Sequence, residues 1–205
     1  MESDDIIVDE DVYRKGDKEY VRVTRILDVI AKPEFYRWYA KHGYDWCTKY
    51  RDDRAVFGTR MHKEFQNWLE DENVWIDSRE MEQVFDEFRG WCDLHDVESE
   101  FCEYRLFSDE LGVAGTCDFI GLVDGVPMLV DWKTSKRVYD NYRLQVSVYL
   151  WMFECMSGRR LEKAGVVCFS GGGVRELFLS REECLELLDV FRAAVVLYRW
   201  KYGKK

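Results

Sequence analysis

The chain has 205 residues, 47% of them apolar and 16% aromatic, which suits one domain with a sizeable core. Its 40 acids against 30 Lys and Arg give a formal charge of −10, a balance that argues against a protein coating nucleic acid through its overall charge. No run of about 18 apolar residues occurs, which excludes a membrane-spanning helix, and the acidic opening Met1-Glu-Ser-Asp-Asp is unlike a signal or transit peptide, so work in the cytoplasm is expected.

In chain order, residues 6–24 predict a strand pair, Ile6-Ile-Val and Tyr20-Val-Arg-Val, about a turn near Lys15-Gly-Asp. Thr24 is a candidate cap for a helix from Arg25 to Ala31, and Pro33 suits the first turn of a helix reaching about Lys41. Helices are expected from about Arg51 to Glu70 and from Arg79 to His95. Three short strands follow, Phe101–Phe107, Ala114–Val123 and Met128–Trp132, with turns at Asp109-Glu-Leu-Gly and Asp124-Gly125. A helix from about Tyr139 to Met156, strands Ala164–Phe169 and Val174–Leu179 about Gly171-Gly-Gly, and a last helix from Arg181 to about Tyr202 complete the chain. Ser180 and Glu183 form a capping box for that helix. This order predicts an α/β fold, a mixed central sheet flanked by helices.

The charge is unevenly spread. Residues 63–103 hold 14 acids against 3 bases, a candidate face for a protein partner. Residues 32–60 hold 7 bases against 4 acids, interleaved with Phe35, Tyr36, Trp38, Tyr39, Tyr44, Trp46, Tyr50 and Phe57. Bases that track phosphates and rings that stack on bases make a groove for single-stranded nucleic acid, with Arg37, Lys41 and Arg60 as candidate contacts. Two amphipathic helices with aromatics in the core have the same composition. The seven cysteines form no Cys-x-x-Cys pair, and small buried fillers are the expected role for most.

Asp131 and Lys133 lie two apart on a strand, so both side chains leave one face, and apolar Leu129 and Val130 before them place the pair at the end of a buried strand. With a turn at Asp124-Gly125, six residues on either side bring Asp118 opposite Asp131. Two converging carboxylates repel unless a cation sits between them, and hard oxygen ligands suit Mg²⁺ or Mn²⁺. A surface strand pair with an incidental salt bridge would show the same Asp-x-Lys. Gly58-x-x-x-His62 on a helix, and Gln145-x-x-x-Tyr149 at i and i+4 on another, are each ordinary when taken singly.

Taken in order, Gly58-x-x-x-His62, the first-strand acid Glu103, Gly115-x-x-Asp118, Asp131-x-Lys133-Thr134 and Gln145-x-x-x-Tyr149 resemble the motifs of the PD-(D/E)XK nuclease superfamily, on its RecB-like and Cas4-like exonuclease branch. Phage and mitochondrial genome-maintenance exonucleases share the layout. The likeness begins at Val23-Thr-Arg-Ile-Leu and ends at Tyr149.

The resemblance implies a restriction-endonuclease-like core in a single domain. Residues 1–60 would form an N-terminal strand pair and helical segment, 61–160 the catalytic core, and 161–205 the closing strands and helix. His62, Asp118, Asp131 and the carbonyl of Trp132 would hold Mg²⁺ or Mn²⁺. Lys133 would orient the attacking water and neutralise charge on the scissile phosphate. Glu103 would contact a second metal or hold Lys133, while Gln145 and Tyr149 would position phosphate and catalytic side chains. Lys136, Arg137 and Arg143 flank the site as candidate phosphate contacts. The iron–sulfur cysteines of Cas4-like relatives have no counterpart after Cys184, so no such cluster is expected, and no Gly-x-x-x-x-Gly-Lys-Ser/Thr marks a helicase motor. The implied activity is a DNA exonuclease preferring single strands or ends, free-standing as in viruses and small replicons, and then working in a host's cytoplasm. A structure-selective endonuclease, or a non-catalytic DNA-binding or adaptor protein on the same fold, would look alike in these motifs.

Overall fold

The computed structural model describes residues 6–9 and 12–203; the acidic opening Met1 to Asp5, on which the expectation about targeting rests, lies outside them. The elements are β1 (Ile6–Val8), β2 (Val12–Lys15), β3 (Lys18–Arg22), α1 (Val23–Leu27), α2 (Pro33–His42), α3 (Tyr44–Leu69), α4 (Arg79–Leu94), β4 (Val97–Ser108), β5 (Val113–Val123), β6 (Val126–Lys133), α5 (Asp140–Ser157), β7 (Lys163–Cys168), β8 (Arg175–Ser180) and α6 (Arg181–Tyr202). The eight strands form one mixed sheet, ordered β1-β2-β3-β5-β6-β7-β8, with β4 on the other edge of β5. The sheet is flanked by helices, as the alternation of strand and helix patterns predicts.

Two cores follow from the alternation of side chains along the central strands. Ile120, Leu129, Val146, Leu150, Phe153 and Phe191 pack on the face covered by α1, α5 and α6. Phe65, Phe88, Phe119, Val130, Trp132 and Phe169 pack on the face covered by α3 and α4. The second core is built of stacked and edge-on rings, Phe65 and Phe88 lying 4.1 Å apart. Helix α5 is buried almost all round between Leu144 and Phe153, which explains its weak amphipathicity. The Ser180–Glu183 capping box starts α6 as predicted, with Ser180 Oγ accepting from Glu183 N–H at 3.2 Å and Glu183 accepting from Ser180 N–H at 2.8 Å.

Several sequence expectations need correction. The N-terminal strand pair is a three-stranded meander: the hairpin about Gly16 joins β2 to β3, and Ile6–Val8 adds outside β2. Thr24 is not a cap, because α1 begins at Val23 and buries Val23, Ile26 and Leu27 instead. Helix α3 starts at Tyr44, not Arg51, because Gly43 breaks the chain at φ 85° and the helix resumes at once. Strand β4 begins at Val97, four residues earlier than its hydrophobic run suggests, through pairing with β5. All seven cysteines are free thiols; five are buried, Cys102 is partly exposed and Cys155 exposed. Among the described residues no helix is long and apolar enough to cross a membrane.

Candidate metal centre

The β5–β6 hairpin sets the site. Asp124 and Gly125 have φ of 51° and 74°, the two left-handed positions that a two-residue hairpin turn requires. That turn fixes the pairs from Val123↔Val126 to Phe119↔Val130, so Asp118 meets Asp131 one step further on. On the other edge of β5, Cys102↔Phe119 and Tyr104↔Cys117 flank Glu103 and put it opposite Asp118. Glu103, Asp118 and Asp131 therefore stand in a row across three adjacent strands, with Asp131 held from α5 and Asp118 met from α3. Glu103 adopts φ 49°, a left-handed backbone that a side chain takes up at a cost of order 1–3 kcal/mol.

His62 reaches this row from α3, its Nδ1 lying 3.0 Å from Asp118 Oδ1. Among the described residues His62, Glu103 and Asp118 bring ligand atoms within 4.8 Å of one another. The other oxygen of Asp118 accepts the Trp132 backbone N–H at 2.6 Å. Lys133 C=O accepts from Phe169 N–H on the β7 side, so the carbonyl of Trp132, one residue back, opens toward β5 and Asp118. Asp131 adjoins this trio but is otherwise engaged: Lys133 Nζ pairs with its Oδ2, and Gln145 Nε2 donates to its Oδ1 at 3.1 Å. The same Gln145 amide donates to Tyr149 Oη at 3.3 Å. The tight cluster thus contains Glu103 where the motifs place Asp131.

The electrostatics are those of an acidic pocket short of positive charge. Burial, and then the charge of Asp118, push the Glu103 carboxyl up to about 7. Burial pushes Asp131 up to about 6 despite Lys133 beside it. Burial opposes the charge on Asp118, yet the imidazole of His62 holds its carboxyl below the ordinary range. Burial likewise opposes protonation of His62, and Asp118 more than offsets it, so its pKa is raised above the ordinary imidazole value. Lys133 is raised, because Asp131 and Asp118 outweigh its own desolvation, so it remains a cation through neutral pH. An imidazole nitrogen among crowded carboxylates is a donor set that fits Mn²⁺ or Mg²⁺.

The motif glycines serve as contacts for the other motifs. A β-carbon on Gly58 would lie 3.3 Å from Thr134 Oγ1, so the Gly-x-x-x-His helix rests on the end of the Asp-x-Lys-Thr strand. Gly115 lies beneath the ring of Tyr149. One contact escaped the motifs: the ring of Tyr142 faces the Lys133 ammonium, 5.1 Å from centroid to Nζ. Tyr142 precedes Gln145 by three residues on α5 and shares its face, which is the signal that could have revealed it.

No protein-family profile and no curated protein matches this sequence. Among solved structures, the fold is similar to that of a protein from Eubacterium rectale provisionally named an exonuclease, at 12% identity over 72% of this chain and 69% of that one, with a TM-score of 0.49. It is also similar to an alkaline exonuclease from Laribacter hongkongensis, at 13% identity over 89% of this chain and 92% of that one, with a TM-score of 0.41. Neither likeness is strong enough to bear on chemistry, which rests on the residues themselves.

The candidate nucleic-acid contacts fall into two groups. Helix α2 buries no residue, and its Trp38 packs against Trp46 and Tyr50 of α3, while Tyr39 stacks on Tyr44. These rings form a projecting helical pair, not a core: Tyr44 is 72% exposed and Trp46 51%. Arg37 and Lys41 lie on α2 in that pair, and Lys136 and Arg137 are exposed in the loop after Lys133. Arg60, by contrast, is paired with Asp77 at 2.5 Å. Arg143 points away from the Gln145–Tyr149 stripe, roughly 120–160° round α5 at about 100° per residue, and lies near enough to α6 for its charge to lower Glu183. The acids of residues 63–103 do not form one free face. Glu87 accepts three backbone N–H groups of the Ser170–Gly173 loop, Glu100 pairs with Arg159, and Glu80 with Arg54.

Proposed function

We propose that this chain is a divalent-metal-dependent deoxyribonuclease of the PD-(D/E)XK type, acting on single strands or ends. The observation that carries the proposal is the row Glu103, Asp118 and Asp131 across three adjacent strands, closed by His62 at one end and Lys133 at the other. A surface hairpin with an incidental ion pair would not bury Asp131 to 2% exposure or need two glycines to fit its neighbours.

His62, Glu103 and Asp118 would hold the metal, with Asp131 and the carbonyl of Trp132 alongside. Bound Mn²⁺ or Mg²⁺ would supply Lewis-acid polarisation of a phosphate oxygen. Lys133 keeps its proton, so it acts as a fixed cation and hydrogen-bond donor: it orients water and offsets charge gathering on the phosphate. Gln145 and Tyr149 hold Asp131 so that Lys133 has one position. The exposed ring array on α2 and the first half of α3 supports single-strand binding, because rings stack on any base. It begins about 12 Å from Gly58 along the same helix that carries His62.

The test is release of end label from linear single- and double-stranded DNA, with and without Mn²⁺. Metal-dependent release, abolished by chelator, is expected. No release from either substrate with Mn²⁺ or Mg²⁺ would contradict the proposal.

A further inference from the structure

The acidic row of the candidate centre is followed by a basic one. Two residues beyond Asp131, Lys133 on β6 pairs in register with Cys168 on β7, and Cys168 pairs with Arg175 on β8. Directly paired residues share a face, so Lys133, Cys168 and Arg175 line up on the face from which Asp131 points. Residues 134–139 cross the small middle member of this row: Cys168 Sγ meets Ser135 Oγ at 3.6 Å and donates to the Arg137 carbonyl at 3.7 Å. Lys136 and Arg137 in that loop are exposed, as is Arg175.

These three cations enter no ion pair among the described residues, although the chain as a whole is acidic. Arg54, Arg60, Arg159, Arg181 and Arg192 are all paired. Glu176, next to Arg175, accepts instead from Trp91 Nε1 at 2.9 Å. A ring completes the corner. Tyr142 faces the Lys133 ammonium, and Tyr139 stands edge-on to Tyr142 with centroids 5.4 Å apart. Tyr139 is 44% exposed, and its side chain caps nothing at the start of α5. The loop also begins against the helix that carries the exposed ring array, because a β-carbon on Gly58 would lie 3.3 Å from Thr134 Oγ1. Free cations beside an open ring recognise a polyanion with flat bases.

Resting on the nuclease reading above, we propose that the DNA strand leaves the metal centre across Lys133 toward Arg175. The base next to the scissile phosphate stacks on Tyr139, and Lys136, Arg137 and Arg175 hold the phosphates beyond it. Tyr139 and Arg175 belong to none of the motifs, and each makes a separate contact with the strand.

The test is a fluorescence titration of the full chain with single-stranded oligonucleotides, the metal being chelated so that the strand stays whole. The probe is 2-aminopurine, whose emission falls on stacking, placed in the two terminal bases at one end or at the other. Binding should quench the probe at one end. Tyr139→Leu should abolish that quenching and weaken binding roughly five- to hundred-fold with unchanged circular dichroism, while Tyr139→Phe should retain both. Arg175→Ala should keep the quenching and reduce the slope of log affinity on log salt by about 0.7, the share of one phosphate contact. A chain that binds and cleaves single strands, yet quenches the probe equally well with Tyr139→Leu, overturns the inference and leaves the nuclease reading standing. So does a bound probe that stays bright at both ends, or an unchanged salt slope in Arg175→Ala. A chain that neither binds nor cleaves single strands overturns both.

Discussion

The ring of Tyr149 occupies the space that a β-carbon on Gly115 would need: that carbon would lie 2.5 Å from ring Cε1 and 2.6 Å from the hydroxyl. Gly-x-x-Asp and Gln-x-x-x-Tyr, far apart in the chain, are thus two sides of one contact. Gly115→Ala should displace Tyr149, loosen the hold of Gln145 on Asp131, and cost about 1–3 kcal/mol by overpacking. Thermal melts of Gly115→Ala and of Gly115→Ala with Tyr149→Leu check this, since the smaller side chain should recover much of the loss. Equal melting of Gly115→Ala and wild type would show that the ring moves freely.

Lys133→Ala should abolish DNA cleavage while leaving the fold and Mn²⁺ binding largely intact, because the ammonium serves charge in the reaction. Tyr142→Leu should lower the turnover number by roughly three- to ten-fold, with a smaller effect on KM, because the ring holds Lys133 and not the substrate. Single-turnover assays separate the two effects, and wild-type turnover in Lys133→Ala would end the assignment.

Metal-free stability should fall as pH rises through neutrality. The folded pKa of Glu103, about 7, lies above its ordinary value of 4.5, so the folded state holds this proton more tightly than the unfolded chain. The stabilisation is complete below the unfolded value and is lost as pH rises through about 7; Asp131, raised to about 6, acts in the same direction. His62, Asp118 and Lys133 face the same cluster and set the balance. Glu103→Gln should therefore raise metal-free stability near about pH 8 by about 2 kcal/mol, roughly 4–8 °C in Tm, with little gain near about pH 5. Melts across this range check it; a gain independent of pH would contradict the electrostatic cause.

A circular single strand should resist digestion much longer than a linear one of the same sequence if ends are required. Loss of Arg37 and Lys41 together should weaken single-strand binding for all sequences alike, and Trp46→Ala should weaken it by about 1–3 kcal/mol. Fluorescence titrations against linear oligonucleotides measure both. Unchanged affinity in both variants would mean that the ring array on α2 and α3 serves another purpose.

Much of this was legible in the sequence, for identifiable reasons. Asp124-Gly125 dictates a two-residue turn, and the turn dictates the register that brings Asp118 to Asp131. Asp-x-Lys and Gln-x-x-x-Tyr each declare a shared face by spacing alone. The place of Glu103 in the tight cluster was less legible, because its left-handed backbone is set by its surroundings and by nothing in its neighbours' types. Arg60 and Arg143 were candidate DNA contacts by proximity in sequence, whereas Asp77 and the turn of α5 decide where they point. The aromatics of residues 32–60 have helical spacing whether they face a core or water, so periodicity could not separate the two; their exposure does.

The most direct test of the metal centre is a calorimetric Mn²⁺ titration of wild type, His62→Ala, Glu103→Gln, Asp118→Ala and Asp131→Ala at about pH 7, in buffers of different ionisation heat. The account predicts one binding event that releases protons, because the metal needs Glu103 and His62 deprotonated and the metal-free fold raises the pKa of both. His62→Ala and Glu103→Gln should each weaken binding, and Asp118→Ala and Asp131→Ala should eliminate it. Binding heat lost only in the two aspartate variants would remove His62 and Glu103 from the centre. No binding heat in the wild type would contradict the account as a whole.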